Sequence, residues 1–216
     1  MVQNPMIASA LPLLLKASFI TLQASALGAV LGSMGGLLFG IANCDRLRIR
    51  GVSSCIAFYV MLIRGTPLFI QLLIIYFALP EALGMDIPSL AAGVITLGLN
   101  SSAYLSEIMR GTINALPAGQ WEAAEVLGYS RWQTLRHVIL PQALRQGLPA
   151  IANEFSTLIK ESSILMVIGV PELVKTSRDI VARELRPMEI YAMTAVIYLL
   201  MTSVVALVTQ RLENRS

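Results

Sequence analysis

Between residues 11 and 42 the chain carries one charged side chain, Lys16. About 20 apolar helical residues suffice to cross the roughly 30 Å core of a bilayer, so this run alone points to lipid as the solvent. The pattern recurs: residues 53–79 hold only Arg64, residues 87–106 hold no charge, and residues 188–209 hold only Glu189. A further apolar stretch, 143–170, is interrupted by Arg145, Glu154, Lys160 and Glu161. Only 13% of the 216 residues are charged, against about a quarter in soluble domains. That excludes a disordered chain, a disulfide scaffold and most soluble enzymes. We read an all-α membrane protein with five transmembrane helices, near 11–42, 53–79, 87–109, 143–168 and 188–210, in a single domain over 1–216. The fourth is expected to be a polar helix buried among its neighbours.

Orientation follows from the basic residues between spans. With the N-terminus outside, the inner segments hold Arg46, Arg48, Arg50, Arg110, Arg131, Arg136, Arg145, Arg211 and Arg215. The outer ones hold Lys175, Arg178, Arg183 and Arg186, all in the loop 171–187. The majority favours N-out, C-in, and it also explains the net charge of +3 without nucleic acid. Ala24-Ser25-Ala26 resembles a signal-peptide cleavage site. No basic residues precede it within residues 1–10, however, and the apolar run continues past it, so an uncleaved first span is expected. Cys44 and Cys55 then lie at the inner ends of two spans as reduced thiols, and a lone His137 cannot make a multi-histidine metal site.

Charges inside spans are costly and usually face the protein interior or a water-filled path. Their spacing gives each of three helices a polar face: Arg64 with Gln71; Asn100, Tyr104 and Glu107; and Asn153, Glu154, Thr157, Lys160 and Glu161. Such faces suit a small zwitterion, whose ammonium needs carboxylates and whose carboxylate needs Arg, Lys or helix N-termini. The competing reading is that they neutralise one another, with Glu107 paired to Arg110 or Arg64 and Arg110 reaching the headgroups, or that the fourth-span stripe fastens two subunits together. Gly28, Gly32, Gly36 and Gly40 share one helix face, a pattern for close helix packing.

Segment 116–141 is too elaborate for a connection. Pro117 suits a first helical turn, Gln120 to Leu127 are good helix formers, and Gly128 supplies a left-handed cap. Ser130 with Gln133 forms a capping box for a second helix, which Pro141 is expected to limit. Between spans three and four there is therefore a short capped helix, about 117–128, outside the membrane.

Glu122-Ala123-Ala124, Gly128, Val138 and Leu140-Pro141 resemble the EAA motif of ABC importer permeases, with Val138 where the pattern has Ile. Arg64-Gly65-Thr66-Pro67 with Gln71, Tyr104 to Gly111, Gly119-Gln120, Leu140 to Ala143 and Lys160-Glu161-Ser162-Ser163 resemble the HisMQ-type permeases for polar amino acids. Those usually read Lys-Asp-Thr-Ser at the last position. The resemblance covers about residues 13–211.

The resemblance implies a type I importer fold, multi-pass in a bacterial inner membrane, in which the 117–128 helix couples to a cytoplasmic ABC ATPase through Glu122, Ala123, Ala124 and Gly128. It also implies a soluble extracytoplasmic solute-binding protein and a second permease subunit, identical or related. ATP and Mg would be held by the partner ATPase. This chain itself has no Gly-rich phosphate loop and is expected to be a transporter subunit, not an enzyme, without cofactor or metal. Glu154, Lys160 and Glu161, supported by Arg64 and Gln71, are the expected substrate groups. Two acids to one base lean toward a cationic amino acid. An ion-coupled carrier or channel is the main alternative. A membrane hydrolase lacks a nucleophile motif and a suitably placed base.

Overall fold

The computed structural model describes residues 5–213, so Arg215, counted above among the inner basic residues, lies outside the described residues. Among them there are helices and no strand. Helix α1 (Pro5–Ala42) runs unbroken through the Ala24-Ser25-Ala26 site and is 38 residues long, about 57 Å at 1.5 Å per residue. It is followed by α2 (Arg50–Arg64), α3 (Leu68–Leu73), α4 (Leu79–Leu83), α5 (Ser89–Ala115), α6 (Ala118–Val126), α7 (Arg131–Thr134), α8 (Leu140–Glu161), α9 (Leu173–Glu184) and α10 (Pro187–Glu213).

The glycine face of α1 is matched residue for residue by α5. A β-carbon on Gly28 would stand 2.9 Å from Leu97 Cβ, on Gly32 2.7 Å from Ser101 Cβ, and on Gly40 2.5 Å from Met109 Cβ, while on Gly36 it would meet Leu105 closer still. Each pair advances four residues on both helices, so the two backbones lie against each other at four successive levels. The buried face of α5 includes Thr96, Asn100, Ser101, Ser102 and Ser106. These small polar residues lower its hydropathy, and two other helices, Ser9–Ala42 and Pro187–Leu212, are long and apolar enough to cross a bilayer by themselves.

The expected span over 53–79 is not one helix. It breaks after Arg64 and resumes at Leu68, with the two parts bent by 102°. Pro67 has no N–H to continue the helix and disfavours helical backbone at Thr66. The span expected over 143–168 is α-helical only to Glu161 and continues as a tighter 3-10 turn, Ser162–Ile168. Pro141 does not stop its helix either. A wide π turn, Leu135–Ile139, joins α7 to α8 and carries the chain through the proline. The same device, Ile74–Ala78, stands just before Pro80; a π turn rearranges the ladder where a proline leaves a bond unmade.

The segment 171–187, expected as a loop, contains the amphipathic α9, riveted to its surroundings. Glu172, fully buried, caps it by accepting from the N–H groups of Val174 (2.9 Å) and Lys175 (2.6 Å). The Tyr198 hydroxyl of α10 donates to the same carboxylate at 3.3 Å, and Leu173 N–H donates to Thr21 of α1 at 3.1 Å. Burial pushes the Glu172 carboxyl up to about 7 against the pull of these donors. At the opposite end of α1, Cys44 packs in one cluster with Met109, Ile113, Leu116, Trp121, Leu135 and Ile139. Residues 43–49 and the α6–α7 hairpin are therefore at one end of the molecule, and α9 is at the other.

Candidate functional site

The α6–α7 hairpin is built from local rules. Pro117 N-caps α6 instead of entering its first turn. At the other end Gly128 takes φ +81°, Gly128 N–H donates to Glu125 O at 2.9 Å, and Tyr129 N–H donates to Ala124 O at 3.0 Å. This is a Schellman closure that β-carbon-bearing residues adopt only with strain. The capping box forms as expected, with Gln133 N–H donating to Ser130 Oγ (3.3 Å) and Ser130 N–H to Gln133 Oε1 (2.8 Å).

Trp121 turns inward onto the Cys44 cluster, and Ala124 is likewise buried. Glu122, Ala123 and Gly128 turn outward, so three of the four expected coupling residues share the free surface and Ala124 instead anchors the helix. Beside them stand Val126, Leu127 and Trp132, exposed by 88%, 76% and 62%. Sequence reasoning missed these three. Their signal was available: two adjacent apolar residues at the end of a short helix whose inward positions were already filled by Trp121 and Ala124. Large apolar side chains this exposed stand next to the small residue Ala123, which leaves room for close approach.

The intramembrane groups fall into two constellations. Gln71 is fully engaged in the break: its Nε2 donates to Ile63 O (2.7 Å), Thr66 O (3.1 Å) and Thr66 Oγ1 (3.0 Å), and its Oε1 accepts from Asn100 at 3.3 Å. Arg64 lies 3.9 Å from Glu107 and 5.0 Å over the Tyr104 ring. Glu107 in turn takes two hydrogen bonds from Arg110, which is therefore held by a carboxylate. Both expected pairings of Glu107 are present together.

The other constellation is on α8. Glu154 is 8% exposed and lies beside Ser101 of α5. The Ser101 hydroxyl and Glu161 Oε2 are both buried without a well-formed hydrogen bond. Lys160 and Glu161 line a cavity of about 570 Å³ with Leu68, Ser163 and Val174. Asn153 and Lys160 face outward while Glu154 faces in, so the expected single stripe is a pair of edges flanking Thr157. Lys160 and Glu161 share one cavity, Glu154 faces inward beside Ser101, and Arg64 and Gln71 belong to the neighbouring network around the break.

Apolar helices that can cross a bilayer, a partly polar helix packed among them and a capped helix presented beyond them define a membrane transport component. Residues 32–216 match the binding-protein-dependent transport system inner membrane components, and the chain belongs to that family. It is a transporter subunit of the inner membrane and not an enzyme. It is 41% identical over 207 residues to the glutamine transport system permease protein GlnP of Escherichia coli (strain K12), covering 95% of this chain and 94% of that one. The arginine transport system permease protein ArtQ of Bacillus subtilis (strain 168) is 35% identical over 205 residues, covering 95% and 93%. A crystal structure of an amino acid ABC transporter with histidines superposes with a TM-score of 0.89 at 36% identity over 100% of both chains.

Proposed function

We propose that this chain is the permease subunit of an ATP-driven, binding-protein-dependent importer of polar amino acids. The relatives named for glutamine and arginine transport support the substrate class. In this reading the whole chain is one permease domain with five spans: α1, the broken α2–α4, α5, α8 with its 3-10 extension, and α10. It lies N-out and C-in, with residues 43–49 and the α6–α7 hairpin in the cytoplasm and α9 outside. A second permease subunit completes the pathway, a solute-binding protein delivers from the α9 side, and cytoplasmic ATPase subunits grip α6.

Substrate is handled by Glu154, Lys160 and Glu161. The supporting observation is that none of the three forms an ion pair among the described residues, although Glu154 is almost wholly buried. An unpaired carboxylate in a span is expensive and serves a pathway or a ligand by default. Two acids to one base favour a cationic amino acid. Arg64 and Gln71 shape the adjoining break and do not themselves contact substrate in this reading.

Vesicle uptake tests it. Transport should require ATP on the cytoplasmic side and the loaded binding protein on the other, and should disappear with Glu122→Lys or Gly128→Pro together with ATPase association. Uptake driven by an ion gradient alone would instead establish the carrier alternative.

A further inference from the structure

We infer that the first cytoplasmic loop, residues 43–49, forms with the α6–α7 hairpin one composite groove that receives a charged segment of the ATPase subunit. This rests on the reading of α6 as the ATPase-docking helix. It adds a second element, distant in sequence, to that interface.

The loop is a built wall and not a slack connection. Cys44 is fully buried in the same cluster as Trp121 of α6. Asp45 N–H donates to Asn114 Oδ1 of α5 at 3.1 Å, and the N–H groups of Leu47 and Arg48 both return to Cys44 O at 3.1 and 3.0 Å. Loop and helix therefore share a core.

Between them lies a cavity of about 530 Å³, with Asp45 and Arg46 on one side and Trp121, Glu125, Tyr129 and Arg131 on the other. A second cavity of about 230 Å³ adjoins it and shares Asp45, Arg46 and Trp121. Among the described residues Arg46, Glu125 and Arg131 form no ion pair, although charges of both signs line the same hollow. Two unpaired arginines and an unpaired glutamate match a segment that brings carboxylates to the arginines and a base to Glu125.

Area argues the same way. A nine-residue helix is about 14 Å long and roughly 10 Å wide, while a stable interface covers about 800 Å² of each partner. The helix alone falls well short. The groove extends the surface on one side of α6, and the exposed Val126, Leu127 and Trp132 extend it on the other. The result is an exposed apolar patch adjoining a charged hollow, the mixture of apolar and charged contacts that a protein interface uses.

Photo-cross-linking in membranes holding the full transporter tests the inference. p-Benzoylphenylalanine is placed singly at Arg46, at Val126 and, as a control on the far side, at Leu185. Adducts with the ATPase are expected from 46 and 126 and not from 185. An adduct from 126 without one from 46 overturns the composite groove but leaves α6 docking intact, whereas failure at 126 overturns the docking reading itself. Arg46→Glu should weaken ATPase association about tenfold with the melting temperature of the isolated permease unchanged. Cross-linking at 46 with undiminished affinity in Arg46→Glu would overturn the charge assignment.

Discussion

Arg110 holds Glu107 in a two-pronged bond, Nε to Oε1 at 3.0 Å and Nη2 to Oε2 at 2.8 Å. Arg64 reaches the same carboxylate only to 3.9 Å while lying over Tyr104, so one acid ties the end of α2 to α5. Glu107→Gln should destabilise the detergent-solubilised protein by about 1 kcal/mol, the scale of a partly exposed pair. Arg64→Lys, which keeps the charge but loses the stacked guanidinium, should cost less. A thermal melt ranking the two the other way round would remove Glu107 from the centre of this network.

Removing charge from α8 separates substrate handling from folding. Glu154→Gln and Glu161→Gln should each lower uptake of a cationic amino acid at least tenfold while leaving its affinity for the binding protein unchanged. Thermal stability should hold or rise, because a buried carboxylate without a cationic partner costs free energy. A loss of stability with transport intact would make these groups structural.

The α1–α5 contact predicts an asymmetric response to added methyl groups. Gly40→Ala would set its β-carbon 2.5 Å from Met109 Cβ, an overpacking of about 1–3 kcal/mol. Gly111→Ala, where a β-carbon meets nothing within 4 Å, should be neutral or stabilising by up to about 1 kcal/mol through helix propensity. Urea or thermal unfolding of the two variants side by side provides the comparison.

Glu172 predicts a pH dependence. Its carboxyl is raised from 4.5 to about 7 in the folded protein, so between those values the folded state keeps a proton that the unfolded chain has released. Stability therefore falls as pH rises through this window and reaches its floor above about 7. The melting temperature should drop from pH 5 to pH 8, and Glu172→Gln should flatten the part of the slope that this residue supplies. Identical slopes in the two proteins would contradict the assignment.

Much of this was legible in the sequence because the signals are local. Gly128 and the Ser130–Gln133 pair act within one helical turn, and the four-residue recurrence from Gly28 to Gly40 needs only one helix to be seen. The break at Arg64–Pro67 was less legible, because hydropathy continues smoothly across it and only Pro67 hints at a bend. Gln71 was ambiguous for the same reason: a buried amide reads alike whether it meets substrate or carbonyl groups freed by a broken helix. The distribution of Arg64, Glu107 and Arg110 depended on α2 meeting α5, which no spacing within either helix encodes. Helix α9 was hidden by its charges, its apolar face being only a few residues wide.

The stepwise match of α1 to α5 has a mechanical consequence. Two helices whose backbones touch at four successive levels cannot slide or roll past each other without driving β-carbons into main chain. They form a stator. Any rearrangement of the pathway must then fall to parts joined to this pair across a break in the helical ladder, and the 102° bend between α2 and α3 is such a break.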